Sequence, residues 1–385
     1  MRARIVLLAL ALSTFLFVTT ETLPIGLLPL IAHGLGVTTS AVGLLVTAYG
    51  LVVVVASVPL TRLTTRWRRR RLLAVLLAVF VVATAAAAAA PNYPTLLVAR
   101  VVTALGQALF WAIITPAAAA LFRPEVRGRA VSVLYAGSSV AALVGVPAGT
   151  WLGQQAGWRT AFLALSATGL VALATVATLM PDTAPGTSDA DRGSAPDAGR
   201  YWSMVVTTAL AVTGAFTAFT YVSPFLTDVS GFGAGAVGPV LLLRGLAGLA
   251  GVLLAGFLVD RDGWRTMAAI VGVQTVALAG QFLAGATPVG AVAMVAVSGF
   301  ALAGISAALG ARVLEVAPAT SDMAAAGTST AFNVGITAGA LLGSVLLDHA
   351  GVRSTALAGS VLSLLALAAV LAEPAMARRP AIERP

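Results

Sequence analysis

"IVLLALALSTFLFVTTETLPIGLLPLIA", Ile5 to Ala32, is an apolar run with a single ionisable side chain, Glu21. A helix that crosses a bilayer needs about 20 predominantly apolar residues, so this run spans with residues to spare. Arg2 and Arg4 ahead of it also fit a signal peptide. The apolar stretch, however, continues through "PIGLLPLIA", beyond the length of a signal core, and the run reads as an uncleaved first transmembrane helix.

Similar segments recur outward from it, near 41–61, 72–90, 93–118, 130–154 and 159–180. After a polar interval they resume near 203–227, 235–259, 266–286, 289–310, 323–347 and 353–373. The chain is 59% hydrophobic and only 10% charged, against about 25% charged in soluble domains, so the bilayer is its solvent. Backbone polar groups in lipid must bond within the chain, and segments of this length do so as helices. The expected fold is an all-α membrane protein of twelve transmembrane helices in two six-helix bundles, residues 1–180 and 201–385. "PDTAPGTSDADRGSAPDAGR" (Pro181–Arg200) joins them as a flexible linker.

All 23 basic residues are arginine. If the N-terminus is inside, 19 of them fall on inner segments and only Arg159 and Arg353 on outer ones; Arg100 and Arg244 lie within spans. Basic residues concentrate on the cytoplasmic side, which predicts a cell-membrane protein with both termini cytoplasmic. "RWRRRR" (Arg66–Arg71) then reads as an anchor at lipid headgroups rather than a nucleic-acid patch.

The halves repeat each other. At an offset of 195, Pro29 falls on Pro224, Gly43 on Gly238, Leu63 on Leu258 and Arg66 on Arg261. At 194, Gly145 falls on Gly339, Gly149 on Gly343, Gly157 on Gly351 and Arg159 on Arg353. Six helices per half leave both repeats in one orientation, related by an axis along the membrane normal, as in transporters that rock around a midplane site.

These stretches resemble the major facilitator superfamily, and within it the drug:proton antiporter branch that includes sugar-efflux and chloramphenicol-efflux permeases. The resemblance rests on "TETLPIGLLPLIA", "ARVVTALGQALFWAI", "GVPAGTWLGQQAGWRTAF", "GFLVDRDGWR" and "RVLEVAPATSDMAAAGTSTAFNVGITAGALLG", in order along the whole chain. The family's G-x-L-x-D-R-x-G-R-R loop is intact in the second half as Gly256, Leu258, Asp260, Arg261, Gly263 and Arg265. In the first it is degenerate, reading "TRLTTRWRRR", with Thr65 before Arg66 where the family has aspartate. The resemblance implies gating roles for Asp260 and Arg261 and for their first-half counterparts Thr65 and Arg66. It also makes Gly145, Pro147 and Gly149 an antiporter motif that packs and bends helix 5 where the halves meet. Ordinary small-residue packing is the alternative reading of those glycines.

Of the 14 acids, Glu21 alone sits inside a span. A charge at mid-bilayer is costly, so such a residue faces a cavity and does work there. Burial disfavours the charged form of a carboxyl, which suits Glu21 to load and release a proton. A structural Glu21, permanently neutral and hydrogen-bonded, is the alternative. At about 1.5 Å per residue, Arg100 and Arg244 lie at a depth similar to Glu21. Arg100 matches the helix-4 arginine to which the family ascribes a coupling role. Arg244 has two readings, an ion pair with Glu21 or a contact to an anionic substrate group. Tyr49, Gln107, Phe110, Trp111, Tyr135, Phe219, Tyr221 and Asn333 are the remaining candidates for the substrate cavity, where apolar walls carry few polar groups.

Without cysteine, thiolate chemistry is excluded, and without lysine no GxxxxGK[ST] phosphate loop exists. His33 and His349 stand too far apart in sequence to suggest a metal site, and no catalytic constellation stands out. The expectation is a transporter rather than an enzyme, monomeric, without cofactor, metal or nucleic acid, its partners being a small-molecule substrate, protons and lipid. Export of a drug or secondary metabolite against protons leads. Sugar or polyol efflux is second, and a non-transporting receptor or scaffold third.

Overall fold

The computed structural model describes residues 2–64, 67–119, 121–122, 127–181, 197–259, 261–316 and 321–376. Among these residues there is no strand, and twelve helical rods follow one another. In the first half they are α1 (Arg2–Leu35), α2 (Thr39–Thr64), α3 (Arg69–Ala88), α4 (Tyr93–Ala119), α5 (127–156) and α6 (Trp158–Leu179). In the second they are α7 (Ala198–Phe219), α8 (Val237–Val259), α9 (Gly263–Ala284), α10 (Pro288–Val316), α11 (Ser321–Ala350) and α12 (Arg353–Met376). Most of the polar interval between the halves, and the gating candidates Thr65, Arg66 and Asp260, lie outside the described residues.

Eleven of the rods are long and apolar enough to cross a membrane. The twelfth, α5, is interrupted: Arg127–Val140 passes into a π turn at Ala141–Gly145 and resumes as Val146–Ala156. Pro147 has no N–H to offer the Leu143 carbonyl, and the ladder shifts register there. The segment after α7 behaves likewise. Pro224 withholds an N–H from Thr220, and the chain turns through Val222–Pro224 and a π turn at Phe225–Val229.

The repeat is built into the backbone. Four described glycines have positive φ: Gly36 (65°), Gly231 (72°), Gly157 (87°) and Gly351 (77°). They form two pairs at the offsets 195 and 194, each pair closing equivalent turns, where an L side chain would be strained. Arg159 donates to the Ala90 carbonyl just past α3 at 2.9 Å, and Arg353 to the Phe282 carbonyl near the end of α9 at 2.7 Å. Thus the two arginines of the arginine-poor end both satisfy carbonyls at helix C-termini. At the arginine-rich end, Arg2 and Arg70 do the same for the last turn of α6 through Leu179 and Ala177.

Close packing follows the same symmetry. Gly145, Gly149 and Gly153 on α5 lie against Thr19, Leu23 and Leu27 of α1, while Gly335, Gly339 and Gly343 on α11 lie against Val212, Thr213 and Thr217 of α7. Small residues let helix backbones approach in this way. The expectation that Gly145 and Gly149 face the boundary of the halves is therefore corrected, since they face α1 of their own half. The opposite side of α5 meets α8, where Gly245 lies against Ala142 and Leu143, and Gly238 against Pro147 and Trp151.

Between the halves, α1 meets the Val222–Pro224 turn that follows α7, α2 meets α11, and α5 meets α8. Four side-chain contacts join the halves toward the arginine-poor end. Ser40 Oγ is 2.7 Å from both Ser344 Oγ and Asp348 Oδ2. Ser223 donates to the Gly26 carbonyl at 3.4 Å, and Gln154 donates to the Ala234 carbonyl. The main apolar core runs the length of the first half and continues into the second. A second core, around Tyr201, Met204, Val316 and Val370, belongs to the second half alone, toward the arginine-rich end. There Arg312 of α10 is buried in a two-pronged pair with Glu373 of α12, with Arg200 at 3.8 Å. The halves are thus joined by side chains at the arginine-poor end.

Candidate functional site

Glu21 sits near the middle of α1. Three residues further along, Pro24 lacks the N–H that would bond the Thr20 carbonyl in an unbroken ladder. An unsatisfied carbonyl inside an apolar bundle is costly, and Arg100 of α4 supplies the missing donor. One guanidinium nitrogen donates to the Thr20 carbonyl and another to the Glu21 carbonyl at 2.9 Å. The guanidinium carbon also lies 4.4 Å from the ring centroid of Tyr49 on α2, a cation–π contact worth up to about 2 kcal/mol when desolvated. Arg100 is 1% exposed, so these carbonyls and this ring carry its charge.

The Glu21 carboxylate is held separately. Gln107 lies two helical turns after Arg100 on the same face of α4, and its Nε2 donates to Glu21 Oε2 at 2.7 Å. The Gln107 Oε1 accepts from the Tyr49 hydroxyl at 2.7 Å. This fixes the amide's orientation and leaves its N–H for the acid. No ion pair to Glu21 forms among the described residues, and the carboxylate keeps partial exposure. A half-exposed acid with one neutral donor and a fixed cation beside its main chain can gain or lose a proton without breaking a salt bridge.

Four sequence candidates, Glu21, Arg100, Tyr49 and Gln107, therefore form one cluster. Others lie apart. Phe110 is fully buried against Phe17, with ring centroids 4.4 Å apart, and Phe17 in turn meets Phe80 at 4.9 Å. It packs the first bundle's core and does not line a cavity. Trp111 is half-buried, edge-on to Phe110 at 5.7 Å. Tyr221 is fully buried, its hydroxyl donating to the Ala340 carbonyl at 3.0 Å and its ring filling the space beside Gly43 and Gly343. It joins α2 and α11 and is not a cavity wall. Asn333 is half-buried and donates to the Ser329 carbonyl of its own helix at 2.9 Å. The Tyr135 side chain lies outside the described residues. Arg261 is exposed and stacks on Phe257 at 4.3 Å, and Asp262, two residues beyond Asp260, caps the N-terminus of α9 through the Arg265 N–H.

Arg244 does not pair with Glu21. It turns into the second bundle, its guanidinium carbon 3.6 Å from the Phe219 centroid, beside a small cavity that Gln274, Gln281 and Ser298 also line. Sequence reasoning passed over these three polar residues, and over Pro24. The signal for Pro24 was its place four residues after Thr20 in a run that also carries the acid.

Twelve helices, a two-fold internal repeat and a polar cluster at mid-helix define a multi-pass membrane transporter. A family model for the Major Facilitator Superfamily matches residues 10–321, and the chain belongs to that superfamily. It is 35% identical over 365 residues to the uncharacterised MFS-type transporter YtbD of Bacillus subtilis (strain 168), covering 92% of each chain. Among solved structures it resembles a bacterial homologue of the human lysosomal transporter Spinster in an inward-facing, unoccupied conformation, with a TM-score of 0.78 at 17% identity over 99% of each chain. It also resembles a D-xylose–proton symporter, with a TM-score of 0.77 at 15% identity over 96% of each. These likenesses establish the fold and a transporter rather than an enzyme.

Proposed function

We propose that this chain is a proton-coupled secondary transporter of the drug:proton antiporter branch, exporting a small organic compound across the cell membrane by alternating access. The six-helix halves, residues 1–180 and 201–385, rock about a central cavity in a monomer, with both termini and the arginine-rich end in the cytoplasm. In that orientation the seam through Ser40, Ser344 and Asp348 lies on the outer side.

The observation that carries the reading is the Glu21 cluster. Its carboxylate takes a single neutral donor from Gln107, while the neighbouring cation is tied to main-chain carbonyls. Glu21 is the proton carrier, Arg100 fixes the backbone around it, and Tyr49 with Gln107 holds the acid in place. Protonation from outside and release inside drive solute the other way.

The test uses purified protein in vesicles with an imposed pH gradient and a panel of labelled amphiphilic drugs. Gradient-driven movement is expected with the natural chain, abolished by a protonophore and by Glu21→Gln, with the variant's expression and melting temperature retained. Movement by Glu21→Gln that still follows the gradient removes Glu21 from the mechanism. Selective movement of polyols instead would favour the sugar-efflux reading.

A further inference from the structure

The second half holds a cation with nothing to balance it. Arg100 donates to two carbonyls and Arg312 to Glu373, whereas Arg244 makes no hydrogen bond or ion pair among the described residues. Stacking on Phe219 offsets only part of the cost of taking a guanidinium out of water. Arg244 occupies the repeat position of Tyr49, 195 residues on. At that position the first half offers a ring to an arginine, and the second offers an arginine to a ring.

The cavity beside it is enclosed by α7, α8, α9 and α10. Its other polar groups are already committed as donors. Gln274 Nε2 bonds the Ala211 carbonyl and Ser363 Oγ, each at 2.8 Å; Gln281 Nε2 bonds the Met294 carbonyl at 3.4 Å; Ser298 Oγ bonds the Val295 carbonyl at 2.8 Å. Arg244 has N–H groups to spare, Gln281 Nε2 keeps a second N–H, and no carboxylate lines the walls. The turn after α7 and α8 itself also touch the first half, so an occupant sits close behind the boundary of the halves.

We propose that this pocket receives a small monoanionic group, either the carboxylate of the transported solute or free chloride, with Arg244 as its ligand and Phe219 holding the guanidinium in place. The proposal rests on the transport reading and gives it a substrate class, organic acids and zwitterions rather than the cationic amphiphiles common among drugs.

Purified protein in gluconate buffer at neutral pH is titrated with sodium chloride, sodium formate, sodium benzoate, benzamide and benzylammonium gluconate, following melting by tryptophan fluorescence. A saturable rise in melting temperature is expected with at least one of the small monoanions and not with benzamide or benzylammonium. Arg244→Gln is expected to lose the response, Arg244→Lys to keep part of it, and Ser298→Leu, which fills the cavity and leaves the arginine, to lose it too. A response to benzoate or formate identifies the solute's acid, and a response to chloride alone identifies the free ion. Equal effects of benzoate and benzamide, no response to any monoanion, or a response that survives in Arg244→Gln and Ser298→Leu overturns the proposal. Glu21→Gln is expected to bind monoanions normally while losing proton-driven transport, so a failure of the coupling reading leaves this result standing.

Discussion

Gln107 stands between two groups that would otherwise lack partners, the Tyr49 hydroxyl and the Glu21 carboxylate. Replacing it by leucine strands both, and an unsatisfied buried polar group costs about 1–3 kcal/mol. Gln107→Leu is expected to cut gradient-driven transport on the order of tenfold, the equivalent of about 1.4 kcal/mol. Combined with Glu21→Gln in vesicle assays, it should add little further loss, because residues in one network are not additive. Arg100→Lys should fail more severely. An ammonium on a flexible stem does not reproduce a planar fork that spans two carbonyls and stacks on a ring, and a lowered melting temperature should accompany the lost transport. The members of this cluster were legible in the sequence because a charge or amide inside an apolar run is itself an anomaly. Their partners were not. That Arg100 binds main chain and not the acid depends on the rotation of α4 against a carbonyl that Pro24 frees. Phe110, Tyr221 and Tyr49 look alike in sequence, and only packing separates a core ring from a cluster member.

At the scale of helices, Pro24 gives a prediction in which stability and activity part. Pro24→Ala returns an N–H to the Thr20 carbonyl and removes a residue about 3 kcal/mol unfavourable in helix interiors, so melting temperature should hold or rise. The same change sets Arg100 in competition with the backbone, and transport should fall several-fold in the same preparation. The glycines of α8 make a second contrast. A side chain at Gly251 meets the Phe300 carbonyl of α10, while one at Gly256 meets nothing within 4 Å. Gly251→Ala is expected to lower stability by about 1–3 kcal/mol, the range for forcing extra atoms into a packed contact, and Gly256→Ala to leave melting unchanged. Gly157 with Gly351 helped expose the repeat in the sequence because a left-handed backbone demands glycine whatever surrounds it; Gly36 with Gly231, a second such pair, was passed over. Helix α5 was read as one span bent at its Gly145–Pro147–Gly149 motif, and the form of the bend was not legible. Its π turn arises from how Pro147 is accommodated between α1 and α8, which no periodicity records. Which neighbour Gly145 and Gly149 face was hidden for the same reason.

Across the whole molecule, the seam at Ser40 and Ser344 reports which side is open. The chain has no cysteine, so Ser40→Cys with Ser344→Cys introduces the only thiols, at positions whose hydroxyl oxygens lie 2.7 Å apart. Oxidation should cross-link the pair and stop transport, reductant should restore it, and conditions that favour the opposite conformation should lower the cross-linking yield. Mobility of the oxidised band on a denaturing gel, read beside vesicle flux, checks all three. The guanidinium of Arg100, fastened to the main chain of Thr20 and Glu21, has an electrical consequence. A stationary positive charge cannot accompany the proton, so under the proposed coupling each turnover with an uncharged cargo moves one net elementary charge across the bilayer. Flux is then driven by membrane voltage as well as by acidity, at about 2.3 kcal/mol per charge for every 100 mV. A cargo bearing a carboxylate doubles the charge displaced, which makes cargo valence readable from current alone.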